Sequence, residues 1–323
     1  MENHPLKPLF KNAILQTVIA SKINVIPKIP SKTEYINLSD GDTIAVEISQ
    51  HPSWDLQKPT VVLVHGLCGS HDASYMRRIT NKLLKMPLRV VRCNFRDAGS
   101  GKGLAKYITH AGSSDEVYET LVHLKQKTPN SKFIVIGFSM GGSLLLKLLG
   151  ENRPNIDSLV EFGFSICPPT DLSSCSEIID LPSNKIFRAY FVNDLIKMVY
   201  ERHERFPDLG SPPELHKKIR MREFDDMYTS IQCGFSDAND YYTKASSLQF
   251  VKNIKTPCHI FAAKDDPVID NTLLLKEKLP ENVKLYVSEH GGHMGFLASP
   301  FSITGVRWMD YMILKMINAE IYI

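Results

Sequence analysis

The sequence predicts an α/β protein: a mostly parallel sheet of about eight strands, helices on both faces, and a helical insertion late in the chain. Three observations carry that prediction. Short apolar runs recur, and most spacers between them have helical period. The runs are continuous rather than alternating, which marks strands covered on both faces, as in parallel sheets. The rhythm breaks once, between Ile166 and Cys258, where no comparable strand occurs.

Taken in order, "NAILQTVIA" (12–20) reads as a short helix packed on its own domain, its apolar pattern interrupted by Gln16 and Thr17. It lacks the small-residue cleavage site of a secretory leader. "TEYINLSDGDTIAVEIS" (33–49) reads as two strands joined by a tight hairpin at Asp40-Gly41, where the Asp-Gly pair supplies positive φ angles. The parallel strands follow as "TVVLV" (60–64), "LRVVRCN" (88–94), "KFIVIG" (132–137), "LVEFGFSI" (159–166), "CHIFAA" (258–263) and "VKLYVS" (283–288). Within the break, 184–206 and 212–231 have helical pattern, and Pro168-Pro169 and Pro212-Pro213 punctuate it because proline cannot continue a helix. The expected organisation is a core in two parts, 1–167 and 251–323, around a helical cap insertion at 168–250. A chain of 323 residues is long enough for one large core with such an insertion.

Composition removes several function classes. The net charge is only +3, and Lys and Arg are scattered among acids, so no nucleic-acid partner is expected. No apolar run reaches the roughly 20 residues that span a bilayer, so no transmembrane segment is expected, and the N-terminal helix leaves room only for peripheral membrane contact. The six cysteines are widely spaced without a C-x-x-C pair, which implies reduced thiols and a cytoplasmic location. His290 and His293 form the one metal-like spacing, H-x-x-H, but no Glu accompanies it. Neither a metal nor a cofactor is expected. Composition says nothing of oligomeric state.

The segment "IVIGFSMGGSLLLKLLG" (134–150) passes from a strand directly into a helix across Gly137-Phe138-Ser139-Met140-Gly141. G-x-S-x-G in that context is a nucleophile elbow: the serine occupies a strained turn that lifts its hydroxyl off the sheet, and the flanking glycines avoid clashes within the turn. A nucleophilic serine needs a base, an acid that orients the base, and donors for the oxyanion. Asp265 and Asp266 follow the "CHIFAA" strand, and His290 and His293 follow the next one, in the chain order Ser, acid, His. Asp266 is preferred because Pro267 turns the chain directly after it. His293 is preferred because Gly291 and Gly292 free its loop to carry the imidazole over the serine. For the oxyanion, the backbone N–H of Leu67, behind Gly66 at a strand end, pairs with that of Met140. His65 reads as a structural group bonding the loop backbone, and Arg96 as part of an internal ion pair or of a solvated loop rather than as a holder of a substrate carboxylate or phosphate.

These segments together resemble the YheT-like branch of the α/β-hydrolases. "NAILQTV" is similar to that family's HLQT segment, "HGLCGSHDASYMRRI" to its HGLxGS…SxY stretch and "NFRDAGSG" to its FRG-type loop. "GFSMGGSLLLKLLGE" resembles its elbow, "GFSDANDYYTKASS" its GFxDxxDYY signature, and "AKDDPV" with "GGHMGFL" its acid and histidine loops. Asp97 departs from the pattern, since the family more often has glycine or cysteine there. The resemblance implies the α/β-hydrolase fold and a capped serine hydrolase that uses Ser139, Asp266 and His293 on carboxylic esters, including lipid-like acyl esters. Two rivals remain at this level: an acyltransferase or thioesterase using the same three residues, and a ligand-binding protein that has kept the fold without turnover.

Overall fold

The β-branched runs form the centre of the molecule. A computed structural model describes residues 5–23 and 26–321, so the outermost ends of the two core spans lie outside the described residues. The strands are β1 (Lys32–Asn37), β2 (Thr43–Gln50), β3 (Thr60–Val64), β4 (Arg89–Cys93), β5 (Phe133–Phe138), β6 (Val160–Ile166), β7 (Cys258–Ala263) and β8 (Val283–Ser288). They make one eight-stranded sheet in the order β1-β2-β4-β3-β5-β6-β7-β8. The β1-β2 and β2-β4 pairs are antiparallel, and every other pair is parallel. This is the mostly parallel α/β sheet that the apolar runs predicted.

Helices of eight residues or more are α1 (Ala13–Lys22), α2 (Ser74–Leu83), α3 (Ser114–Lys127), α4 (Met140–Gly150), α5 (Leu172–Asp180), α6 (Lys185–Arg205), α7 (Ala238–Ala245) and α8 (Trp308–Ile321). They explain why the central strands β3 and β5 are apolar at nearly every position. Val62, Val64 and Val135 point into one core with Val117 and Leu121 of α3 and Leu144 and Leu148 of α4. Their neighbours Val61, Leu63, Ile134 and Ile136 point into a second core with Met76 and Ile79 of α2 and Trp308 and Ile313 of α8. Successive side chains of a strand face opposite ways, so two buried faces need unbroken hydrophobicity.

Two local expectations fail for identifiable reasons. β1 and β2 do pair, but Asn37 meets Thr43, so the connection is the whole loop Leu38–Asp42 rather than a tight turn at Asp40-Gly41. Only Gly41 in that loop has positive φ. The loop is shaped by tertiary contact: Asp40 and Asp42 both bind Arg96, and the main-chain N–H groups of Lys106 and Tyr107 donate to Asp42. The second failure is at 212–231. Helix begins only at Met221–Phe224 and passes through a π-helical turn, Asp225–Thr229, into Ser230–Gln232. The stretch before it is irregular and anchored by fully buried Ile219, which packs with Val192 and Val199 of α6.

Candidate active site

β5 delivers Ser139 at its C-terminal end and α4 begins at the next residue. Ser139 has φ 51° and ψ −120°, a conformation that costs a residue with a Cβ about 1–3 kcal/mol. The surroundings hold it there. Its N–H donates to Ile166 O at 2.8 Å, and its carbonyl accepts from the N–H of Gly142 at 2.8 Å and of Ser143 at 3.1 Å. The crossing of β5, α4 and β3 is so close that only glycine fits: a Cβ on Gly137 would lie 2.2 Å from Gly141 O, and one on Gly141 would lie 2.5 Å from Val64 O.

The loops after β7 and β8 bring the two preferred partners to this serine. His293 Nε2 lies 3.0 Å from Ser139 Oγ, and His293 Nδ1 lies 2.9 Å from Asp266 Oδ2. The other oxygen of Asp266 accepts from the N–H groups of Val268 at 2.8 Å and Ile269 at 3.0 Å, which fixes the carboxylate plane. With a carboxylate against Nδ1, the neutral ring carries its proton there and leaves Nε2 to accept from the serine hydroxyl. Asp265 and His290 form a separate pair at 3.4 Å. Asp265 Oδ1 accepts from Gly292 N–H at 2.9 Å and so braces the histidine loop.

The β3 loop closes the other side. A Cβ on Gly66 would sit 3.1 Å from Ser139 Cβ, so this backbone lies directly against the nucleophile position. Gly66 N–H donates to the Tyr75 hydroxyl at 2.9 Å. Leu67 N–H has no acceptor among the described residues, and Met140 N–H, first in α4, has none within its helix. Both are available to an oxyanion beside Ser139. His65 holds the loop from beneath: Nδ1 faces Gly66 O at 2.8 Å, and Nε2 accepts from Phe95 N–H at 3.2 Å. Complete burial pushes this imidazole down to about 4, so it stays neutral and structural. Arg96 is likewise occupied, pairing with Asp40, Asp42 and Glu116.

Sequence reasoning missed the residues that hold the histidine loop. His293 N–H donates to Thr17 Oγ1 at 2.9 Å, and Gln16 binds both N–H and C=O of Leu297. The glycines before His293 do not free the loop. A Cβ on Gly292 would meet Ala13 O at 2.5 Å, so that glycine lets α1 pack against the loop and pin it. The available signal was the pair of polar residues inside an otherwise apolar "NAILQTVIA".

In front of Ser139 lies a cavity of about 400 Å³, lined by Leu67 and Met140 on one side and by Leu172, Leu195, Val199 and Phe224 on the other. Cys167, Asp266 and His293 place one potential metal-ligand atom each within 4.8 Å of one another. Burial pushes the Cys167 thiol well above its ordinary range, which disfavours the thiolate that a metal requires, and the other two are engaged with each other. Among the described residues no helix is long and apolar enough to cross a membrane.

Comparison with known proteins agrees with this architecture. Residues 56–297 match the family model Hydrolase_4, described as serine aminopeptidase, S33. The chain is 29% identical to YheT of Escherichia coli (strain K12) over 293 residues, covering 89% of this chain and 85% of YheT. It is 29% identical to phospholipase ABHD3 of Bos taurus over 291 residues, covering 87% and 70% of the two chains. Among solved structures, the Pyrococcus furiosus esterase Pf2001 superposes with a TM-score of 0.56 at 18% identity, over 97% of this chain and 99% of that one. Sequence and fold converge on one assignment: the chain belongs to the Hydrolase_4 (S33) family of serine α/β hydrolases, alongside the YheT-like esterases.

Proposed function

We propose that the protein hydrolyses carboxylic esters with lipid-like acyl groups through an acyl-enzyme on Ser139. One observation carries the reading: Ser139 Oγ, His293 and Asp266 form a continuous hydrogen-bonded line, 3.0 and 2.9 Å, at the wall of a largely apolar cavity. His293 Nε2 takes the serine proton as Oγ attacks the ester carbonyl, and Asp266 stabilises the imidazolium that forms. The carbonyl oxygen, now negative, accepts from the N–H groups of Leu67 and Met140. His293 then protonates the leaving alcohol, and a water activated by the same imidazole releases the acid. The segment 168–250 acts as a cap over the acyl chain, and the apolar wall it contributes suits a small-molecule or lipid-like ester. The phospholipase name of one relative supports that substrate class. Six free thiols support a reducing, cytoplasmic setting.

The test is labelling by a fluorophosphonate together with hydrolysis of 4-nitrophenyl esters. Wild type is expected to label and turn over, while Ser139→Ala loses labelling and His293→Ala loses at least roughly a thousandfold in kcat/KM. A folded wild type that neither labels nor cleaves would return the protein to a binding role. Adding an alcohol and measuring free acid against new ester distinguishes hydrolysis from acyl transfer.

A further inference from the structure

We propose that Arg202 and Tyr228 form an anion-binding subsite in the cavity, selecting esters that carry a carboxylate remote from the scissile bond. The inference rests on the ester-hydrolase reading and adds a substrate class to it.

Arg202, on α6, is only 4% exposed and lines the same cavity as Ser139. Its guanidinium bonds solely to neutral acceptors: Nε to Lys106 O at 2.7 Å, and Nη1 to the Tyr228 hydroxyl at 2.6 Å and Gln232 Oε1 at 2.9 Å. No carboxylate pairs with it among the described residues. The other arginines nearby differ in this respect, since Arg96 binds three acids and Arg205 binds Asp97 and Glu201.

The acids that line the cavity are committed elsewhere. Asp97 pairs with Arg205 and accepts from Gly103 N–H, and Glu201 pairs with Lys102. Asp225 accepts from the Tyr242 hydroxyl at 2.7 Å and makes no ion pair with Arg202 among the described residues. A buried cation without a counter-charge is costly unless a ligand supplies one. Arg202 has two reasons to receive one. Its Nη2 makes no hydrogen bond among the described residues, and the Tyr228 hydroxyl, having accepted from Nη1, keeps its own proton for donation. A guanidinium N–H and a phenolic O–H side by side match the two oxygens of a carboxylate.

Backbone geometry presents the tyrosine. Asp225, Tyr228 and Thr229, all on the π-helical turn, line the cavity, and such turns often mark functional sites because they re-aim side chains. None of these hydrogen bonds involves Ser139, His293 or Asp266. The wall that includes Leu172, Leu195 and Val199 is apolar, so an aliphatic chain suits the space between an ester at Ser139 and an anion at Arg202.

The experiment compares mono-4-nitrophenyl esters of the C6, C8 and C10 α,ω-dicarboxylic acids with 4-nitrophenyl esters of the monocarboxylic acids of equal length. Wild type is expected to favour the carboxylate-bearing ester at one or more lengths, by at least about tenfold in kcat/KM. Arg202→Gln is expected to lower that ratio at least tenfold, and Tyr228→Phe to lower it less while retaining the ring. A wild-type ratio at or below one at every length would overturn the subsite and leave ester hydrolysis standing. Equal losses on both esters in both variants would also overturn it, since a purely structural role acts on the two alike. Absence of turnover on every ester would overturn the hydrolase reading and the subsite together.

Discussion

Thr17 reaches across 276 positions of sequence to accept the backbone N–H of His293, while its own hydroxyl proton goes to Ala13 O at 2.8 Å. One small side chain therefore sets the height of the imidazole over Ser139. Thr17→Val keeps the shape and removes the acceptor, leaving a half-buried N–H unpaired at a cost of about 1–3 kcal/mol. Because the imidazole is aligned with Ser139 Oγ to within ordinary hydrogen-bond length, we expect kcat on a 4-nitrophenyl ester to fall roughly tenfold with KM little changed. An equal rise in KM with kcat intact would show instead that Thr17 shapes the binding wall. At the same scale, Asp97 has φ 56°, a left-handed conformation that a residue with a Cβ rarely adopts. Its carboxylate bonds to Gly103 N–H and pairs with Arg205 of α6, which offsets the backbone strain and ties this loop to α6.

Among elements, α1 is the one whose role exceeds its length. Gln16 is fully buried and makes three bonds: to Phe10 O at 2.8 Å, Leu297 O at 3.0 Å and, through its own oxygen, Leu297 N–H at 2.7 Å. A helix of ten residues is marginal alone in water, so these bonds and its packing decide whether it forms. Gln16→Ala should lower stability by about 1–3 kcal/mol in urea unfolding, since it strands the main-chain N–H of Leu297 out of water, while Leu297 O keeps the N–H of Leu9. A change below about 0.5 kcal/mol would mean that the helix is held by Val18 and Ala20 alone.

For the molecule as a whole, burial sets a pH dependence of stability. Burial raises Asp225 from 3.8 to about 6, so the folded state above pH 6 carries a charge that the unfolded chain holds more cheaply. The gap corresponds to about 3 kcal/mol of destabilisation, present above pH 6 and relieved as pH falls toward 3.8. Asp225→Asn keeps an acceptor for the Tyr242 hydroxyl and removes the charge. It should stabilise the protein by up to about 3 kcal/mol at pH 7.5 and by only about 1 kcal/mol at pH 4.5, read from urea curves at both values. An equal gain at the two pH values would show that packing, not ionisation, explains it. The imidazole of His65 works in the opposite direction: it is held near 4 by burial, so its contribution is lost as pH falls from 6.5 through 4.

How far the sequence reached follows from the range of the forces involved. The parallel sheet was legible because two buried faces demand continuous apolar strands, and the elbow because Gly137 and Gly141 are forced by backbone contacts under 3 Å. Chain order and strand ends single out Ser139 and the Asp and His pairs, while Pro267 and the glycines choose Asp266 and His293 within them; the glycines do not in fact free the loop, since Gly292 lets α1 pack against it. The Leu38–Asp42 loop was misjudged because its shape is set by Arg96, a residue far along the chain. The irregular stretch before Met221 follows the anchoring of Ile219 against α6 rather than its own helical pattern. The sequence by itself determined which segments become strands and where the nucleophile turn falls, because sterics and hydrophobic patterning act over a few residues. Only the tertiary structure decided that α1 pins the histidine loop and that Arg202 lines the cavity with no acid paired to it among the described residues, because hydrogen bonds and charges act between whatever surfaces folding brings together.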